Sequence, residues 1–246
     1  MRYISLGKLI EMLDSKSLHL GRIDRFEDKT EGEWYAHLAK EANEAFKDIL
    51  SEKDLNKDED ELMEEIQSLK QRSYVSSWFS SDHLSIAMWK LYGVTDEGIA
   101  LRVSKPQLEK LRKRCRKELN DQDAEVLISN VIYVDEDAVE MKKLIDRNLS
   151  QKQWLKFRNL LLKHKAYQFE QEYRMSVILP QGKDSYPKGI KLYIGDDQNT
   201  FIDSIYLNPL IHSNHWYIKV VQRILSLFEI NGNKLKLGEI RTSLKG

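Results

Sequence analysis

The stretch Lys163-His164-Lys165-Ala166-Tyr167-Gln168-Phe169-Glu170-Gln171-Glu172-Tyr173-Arg174 concentrates more groups able to do chemistry than any other part of the chain. Glu170 and Glu172 are two residues apart. On extended backbone that spacing points both carboxylates to the same side. Two carboxylates aimed into one cavity push one pKa upward. One can then polarise a hydroxyl while the other accepts a proton or stabilises a developing cation. Lys163, Tyr167 and Arg174 flank the pair and supply charge and a ring. A solvated strand face is the plain alternative for any Glu-x-Glu pair.

Three further clusters carry polar or aromatic groups. Arg22-Ile23-Asp24-Arg25-Phe26-Glu27-Asp28, followed by Glu31-Gly32, lies where a strand gives way to a loop. Such loops commonly hold functional side chains. Arg22 could fork onto a phosphate or carboxylate, or could serve an Arg–Asp network that holds the loop. Ser76-Ser77-Trp78-Phe79-Ser80-Ser81-Asp82 puts hydroxyls beside a large ring, while Ser80 to Asp82 suit helix capping. Met88-Trp89-Lys90-Leu91-Tyr92 sets aromatic residues at helical spacing, either as core or as a stacking platform. His212 and His215 have close ligand spacing but no evident third ligand, so no metal is assigned. The basic run Lys110, Arg112, Lys113, Arg114, Arg116 and Lys117 reads as a solvated helix face.

The elements that must position these groups follow from periodicity. Ser5 is expected to cap a helix to Asp14, with Leu6, Leu9, Ile10 and Leu13 on one face. Strands are expected at 18–23, 74–79, 98–103, 126–134, 173–179, 190–194 and 201–207. Helices are expected from Asp82 to Tyr92 (stopped by Gly93), and at 105–119, 136–147, 150–165 and 213–228. A short strand pair at 234–237 and 240–242 would finish the chain. The acidic stretch 34–72 reads as a helical insertion, with Leu55, Leu62, Met63, Ile66 and Leu69 as its docking face. Helices and strands alternate without repeating βαβ units, so the expected class is α+β, one domain over 1–246 with a mixed or antiparallel sheet.

Composition narrows the class of function. The 246 residues hold 39 basic and 39 acidic side chains, which argues against a globally basic nucleic-acid binder. Apolar residues make up 41%, enough for a packed core and too many for a disordered chain. The one cysteine, Cys115, forbids an internal disulfide and a Cys-rich zinc site. No apolar run reaches the ~18 residues of a membrane span. The N-terminus lacks a signal-peptide apolar core, so a cytoplasmic location is expected.

In combination the motifs resemble a widespread bacterial family, domain of unknown function twenty-nine seventy-one. They are Tyr3-Ile4-Ser5; Arg-x-Asp-x-Phe-x-Asp-x-x-Glu-Gly from Arg22 to Gly32; Met-Trp-x-x-Tyr at Met88–Tyr92; and Lys163 through Glu-x-Glu-Tyr-Arg to Arg174. Lys29 stands where that family often has proline, and Tyr167 where it has phenylalanine. The layout is also distantly similar to arginine–serine–glutamate ADP-ribosyltransferases, whose serine motif is usually Ser-Thr-Ser.

That second resemblance implies an ADP-ribosyltransferase-like core using NAD as substrate, for transfer to an unidentified macromolecule or for hydrolysis. Toxin or phage-defence roles go with it. It implies Glu172 as the group supporting an oxocarbenium-like transition state and Glu170 as the residue orienting the acceptor. Arg22 and Ser77 would bind the cofactor, Trp78 or Trp89 would stack on nicotinamide with Tyr92 beside them, and Asp24, Asp28, Lys163 and Arg174 would support. No Gly-x-Gly-x-x-Gly is present, so a Rossmann pocket is not implied. Arg22, Ser77, Trp89 and Glu172 are then expected to line one cleft. Two other readings stay open. One is a metal-dependent nuclease using Asp24, Glu170, Glu172 and Lys163. The other is a non-enzymatic interaction module with a buried Arg–Glu pair.

Overall fold

The computed structural model describes residues 1–28, 31–33, 59–93, 97–119, 124–134, 156–157, 159–209, 211 and 216–238. In chain order the elements are β1 (Arg2–Ile4), α1 (Leu6–Asp14), β2 (Ser17–Arg22), α2 (Glu59–Gln71), β3 (Ser73–Phe79), α3 (Ile86–Tyr92), β4 (Ile99–Arg102) and α4 (Lys105–Glu118). They continue with β5 (Glu125–Asn130), β6 (Ile132–Val134), β7 (Leu162–His164), β8 (Glu172–Ile178), β9 (Gly189–Tyr193), α5 (Gln198–Phe201), β10 (Ser204–Leu207), α6 (Trp216–Leu227) and β11 (Leu235–Leu237). The class is α+β. The chain forms two compact units with interleaved segments: 1–19, 78–115 and 191–246 in one, 20–77 and 116–190 in the other.

The first unit is built on a four-stranded sheet of order β1-β4-β10-β11. β4 pairs antiparallel with β1 and β10, and β10 pairs parallel with β11. Ser5 caps α1 as its type predicts, its hydroxyl accepting from Lys8 N at 3.3 Å. Leu9, Met12 and Leu13 face inward. Tyr3 and Ala100, opposite one another across β1 and β4, pack with Met1, Phe79, Met88 and Trp89.

α3 begins later than its sequence suggests. Ser85, not Asp82, is the cap, its hydroxyl accepting from Met88 N at 3.3 Å. Asp82 instead accepts from Arg102 at 3.3 Å, and the Ser81 hydroxyl serves a local turn at His83 N. Gly93 ends the helix as expected. The strand expected at 201–207 is shortened to β10 because Asp197 caps the short helix α5 in front of it. β11 pairs with β10; its expected partner at 240–242 lies outside the described residues.

In the second unit β5 pairs antiparallel with β8, from Glu125 opposite Ile178 to Asn130 opposite Tyr173. β3 follows β8, β2 pairs antiparallel with β3, and β9 completes the order β5-β8-β3-β2-β9. One face of this sheet carries Val75, Leu127 and Ile178, packed with Ile23, Phe157, Leu160 and Leu161. The single strand expected over 126–134 is two, β5 and β6, parted at Val131, whose N–H donates to Glu172 O at 2.8 Å. Lys163 and His164, expected near a helix end, form β7, whose backbone is satisfied in parallel pairing with β6. Of the acidic insertion, α2 is described. Its Ile66 is buried and Leu69 packs on the core. The preceding stretch 34–58, with Leu55, falls outside the described residues, as do the helix at 136–147, residues 150–155 and 158 of that at 150–165, and the His212–His215 pair.

Candidate functional site

β8 places Glu172 and Arg174 on the same face of the second unit's sheet, because alternate residues share a face. The two side chains form a fork. Arg174 Nε donates to Glu172 Oε1 at 2.5 Å and Nη2 to Oε2 at 2.8 Å. Arg174 Nη1 donates to Glu31 Oε1 at 2.7 Å and to the Leu160 carbonyl at 2.6 Å. Lys163, from β7, lies 2.6 Å from Glu170 Oε2, 3.5 Å from Glu31 Oε2 and 3.7 Å from Glu172 Oε2. All five side chains are buried. Ser77 of β3 joins them through a side-chain hydrogen bond to Glu172.

Glu170 and Glu172 do converge, but not by the simple pleat that the spacing implies. Glu170 ends a 3₁₀ turn over Lys165–Glu170, and Gln171 adopts a left-handed conformation at φ 40°, ψ 51°. That kink brings the Glu170 carboxylate to Lys163 before the strand begins. Tyr133 anchors the kink, its hydroxyl accepting from Glu172 N at 2.9 Å. Lys163 Nζ also stands 4.7 Å from the centre of the Tyr167 ring. Tyr167 and Asp28 are hydrogen-bonded through their side chains, so the 22–32 loop and the 163–174 segment meet twice, at Asp28 and at Glu31.

The charges tune one another. Burial alone would raise the Glu172 carboxyl, but the Arg174 guanidinium, aided by Lys163 and Ser77, holds it below the usual carboxylate range. Burial works to lower Lys163, and Glu31 and Glu172 override it, so its ammonium is held above its ordinary value. Burial likewise opposes the charge on Arg174, and Glu172 and Glu31 raise it. Burial raises the Tyr133 hydroxyl. Lys163 and Arg174 are therefore cationic and Glu172 anionic at neutral pH.

Arg22 does not join this group. It pairs opposite Tyr74 on β3, three residues from Ser77, so its side chain leaves the sheet on the face opposite Ser77 and Glu172. There Nε and Nη2 fork onto Asp24 at 2.8 and 3.0 Å, and Nη1 donates to the Tyr186 carbonyl at 2.6 Å. The expected common cleft of Arg22, Ser77 and Glu172 is thus not formed; the one-residue alternation of the strand separates them. Asp24 goes with Arg22, whereas Asp28, Lys163 and Arg174 lie with the carboxylates.

Trp78, Trp89 and Tyr92 belong to the first unit. Trp89 is buried edge-on against Tyr3, 5.0 Å between ring centres, and Trp78 is buried with the Arg2 guanidinium 5.9 Å from its ring centre. Both are core side chains of that unit, while Tyr92 is exposed. Among the described residues no group of three or more His, Cys, Asp or Glu side chains is arranged to hold a metal ion.

Sequence reasoning missed two participants. Glu31 was legible only as part of the Glu-Gly pair that closes the loop motif. Gly32 follows it at φ 86°, a conformation glycine adopts without strain, directly after the Glu31 that meets Arg174. Tyr133 had no signal, since an isolated Tyr on a short strand resembles any other.

Comparison with known families falls on the same segment. Residues 88–175 match the family described as Protein of unknown function (DUF2971). The match spans Met88–Tyr92 and Lys163–Arg174, so the resemblance read from those motifs is shown. No curated protein and no solved structure matches the chain.

Proposed function

We propose that the protein is a non-enzymatic interaction module, in which the Glu31–Lys163–Glu170–Glu172–Arg174 network is the latch that joins its two characteristic motifs. The observation that carries this reading is the buried, two-pronged Arg174–Glu172 pair. The guanidinium fork, the Ser77 hydroxyl and Lys163 already surround the Glu172 carboxylate, so a substrate hydroxyl would have to displace one of them. The Arg22 fork on the far face of the sheet is likewise engaged by Asp24. Surface for contact exists in the first unit: Trp216, Val220 and Leu227 form an exposed stripe along α6, opposite the buried Tyr217, Val221 and Leu225.

A second reading is favoured by the Ser77–Glu172 hydrogen bond and by Glu170 beside it. In it the protein has an ADP-ribosyltransferase-like fold and consumes NAD in the cytoplasm, with Glu172 and Glu170 in the catalytic roles, a macromolecular acceptor and a part in phage defence. Arg174 would then have to release Glu172 when NAD binds.

One variant separates the readings. Glu172→Gln in a structural latch lowers the thermal midpoint sharply, and neither wild type nor variant consumes NAD. In the transferase reading the wild type consumes NAD, and turnover falls by roughly a hundredfold in the variant while the fold persists. NAD consumption by wild-type protein would overturn the interaction-module reading.

A further inference from the structure

A second group of cations, unrelated to either sequence motif, surrounds a cavity of about 210 Å³ in the first unit, between β1, α1 and β2. Arg2 leaves β1 on the same face as Leu101, its cross-strand partner, and lines the cavity. One guanidinium nitrogen, Nη1, donates to the His19 carbonyl at 3.2 Å, and Trp78 lies beneath. Among the described residues no carboxylate forms an ion pair with Arg2. Burial without such a partner pushes its pKa down to about 10. A half-buried guanidinium in this state gains from an anion more than a solvated one would.

The rest of the lining matches that need. Lys8 reaches the cavity from α1, and Ser17 and His19 line it from β2. Burial and Arg2 hold His19 below its ordinary pKa, so it adds hydrogen-bonding capacity rather than charge. Glu11 is the acidic group of the lining and is matched by Lys191 at 3.1 Å. Arg2 and Lys8 thus remain as an excess of two positive charges over an apolar floor of Met12, Leu18 and Leu101.

We propose that this cavity binds a small phosphate monoester, its phosphoryl group held by Arg2 and Lys8 and its short apolar body resting on Met12 and Leu18. Guanidinium and ammonium donors suit phosphoryl oxygens, and two unbalanced cations favour a dianion over a carboxylate. The volume is below that of pockets for drug-sized ligands, which restricts the body to a few carbons. The inference does not depend on the role of the Glu172 network.

The test is calorimetric titration of the full chain with propyl phosphate, inorganic phosphate, butyrate and butanol. Propyl phosphate should bind more tightly than the other three, and more weakly as salt is raised. Arg2→Met removes the charge while keeping an apolar stem, and Lys8→Glu reverses a charge on the exposed side of α1, where folding is not at risk. Each should weaken propyl phosphate binding roughly tenfold or more, with the circular dichroism spectrum of Lys8→Glu unchanged. Tighter binding of butyrate or butanol, no binding of any of the four, or an affinity for propyl phosphate indifferent to Lys8→Glu would overturn the proposal.

Discussion

Glu172 loses its charge only by giving up its fork with Arg174, which then keeps Glu31 as its anion, and that fixes the outcome of changing it. With Glu31 still facing Arg174, the loss is that of charge-assisted hydrogen bonds rather than of an orphaned buried charge, about 1.5–3 kcal/mol. Glu172→Gln should lower the free energy of denaturant unfolding by that amount, whereas Asp82→Asn, at an exposed pair with Arg102, should change it by less than ~1 kcal/mol. The pH dependence follows from the direction of the shifts. Glu172 titrates lower in the folded chain than in the unfolded one, so its contribution is complete above the ordinary carboxylate value of 4.5 and fades as pH falls through the depressed folded pKa. Lys163 titrates higher when folded, so its contribution is complete below 10.5 and fades as pH rises beyond it. Unfolding measured from pH 3 to 8 should show the gap between wild type and Glu172→Gln constant at neutral pH and closing below about pH 4.5.

The kink at Gln171 shows the same site at the level of elements. Its φ of 40° is a conformation that β-branched residues strongly resist. Gln171→Val should destabilise the protein by about 1–3 kcal/mol, and Gln171→Gly should be tolerated, as compared by chemical denaturation. Ser85→Ala should cost α3 about 1 kcal/mol through loss of its cap, while Asp82→Ala should leave the helix intact. These elements mark what sequence could reveal. The α1 cap and the Gly93 stop rest on contacts within a few residues, and β8 carries its own run of apolar residues, Met175, Val177 and Ile178, so local pattern exposed them. The break at Val131 and the strand character of Lys163 depend on pairing between β6 and β7, some thirty residues apart, and no local pattern carries that. The convergence of Glu170, Glu172, Lys163 and Arg174 was readable from one motif. The displacement of Arg22 depended on its register against Tyr74, since a shift of one residue changes the face of every side chain.

At the level of the molecule, no helix among the described residues is long and apolar enough to cross a membrane. The lack of a Pro- or Ser-rich linker gave no hint of two compact units, because their segments alternate along the chain instead of following one another. That interleaving imposes an order on synthesis. Every segment of the unit containing the Glu172 network has left the ribosome once residue 190 is free, whereas the four-stranded sheet still lacks β10 and β11. Nascent chains fold as their segments become available. A force-profile measurement on arrested chains should therefore record one folding event soon after residue 190 emerges and a second after residue 237. A single event at the later length would show that neither unit closes without the other. In the interval the apolar face of β4, with Ile99 and Leu101, has no β10 against its edge, and that nascent edge is where chaperone capture or pairing between neighbouring chains on one message would occur.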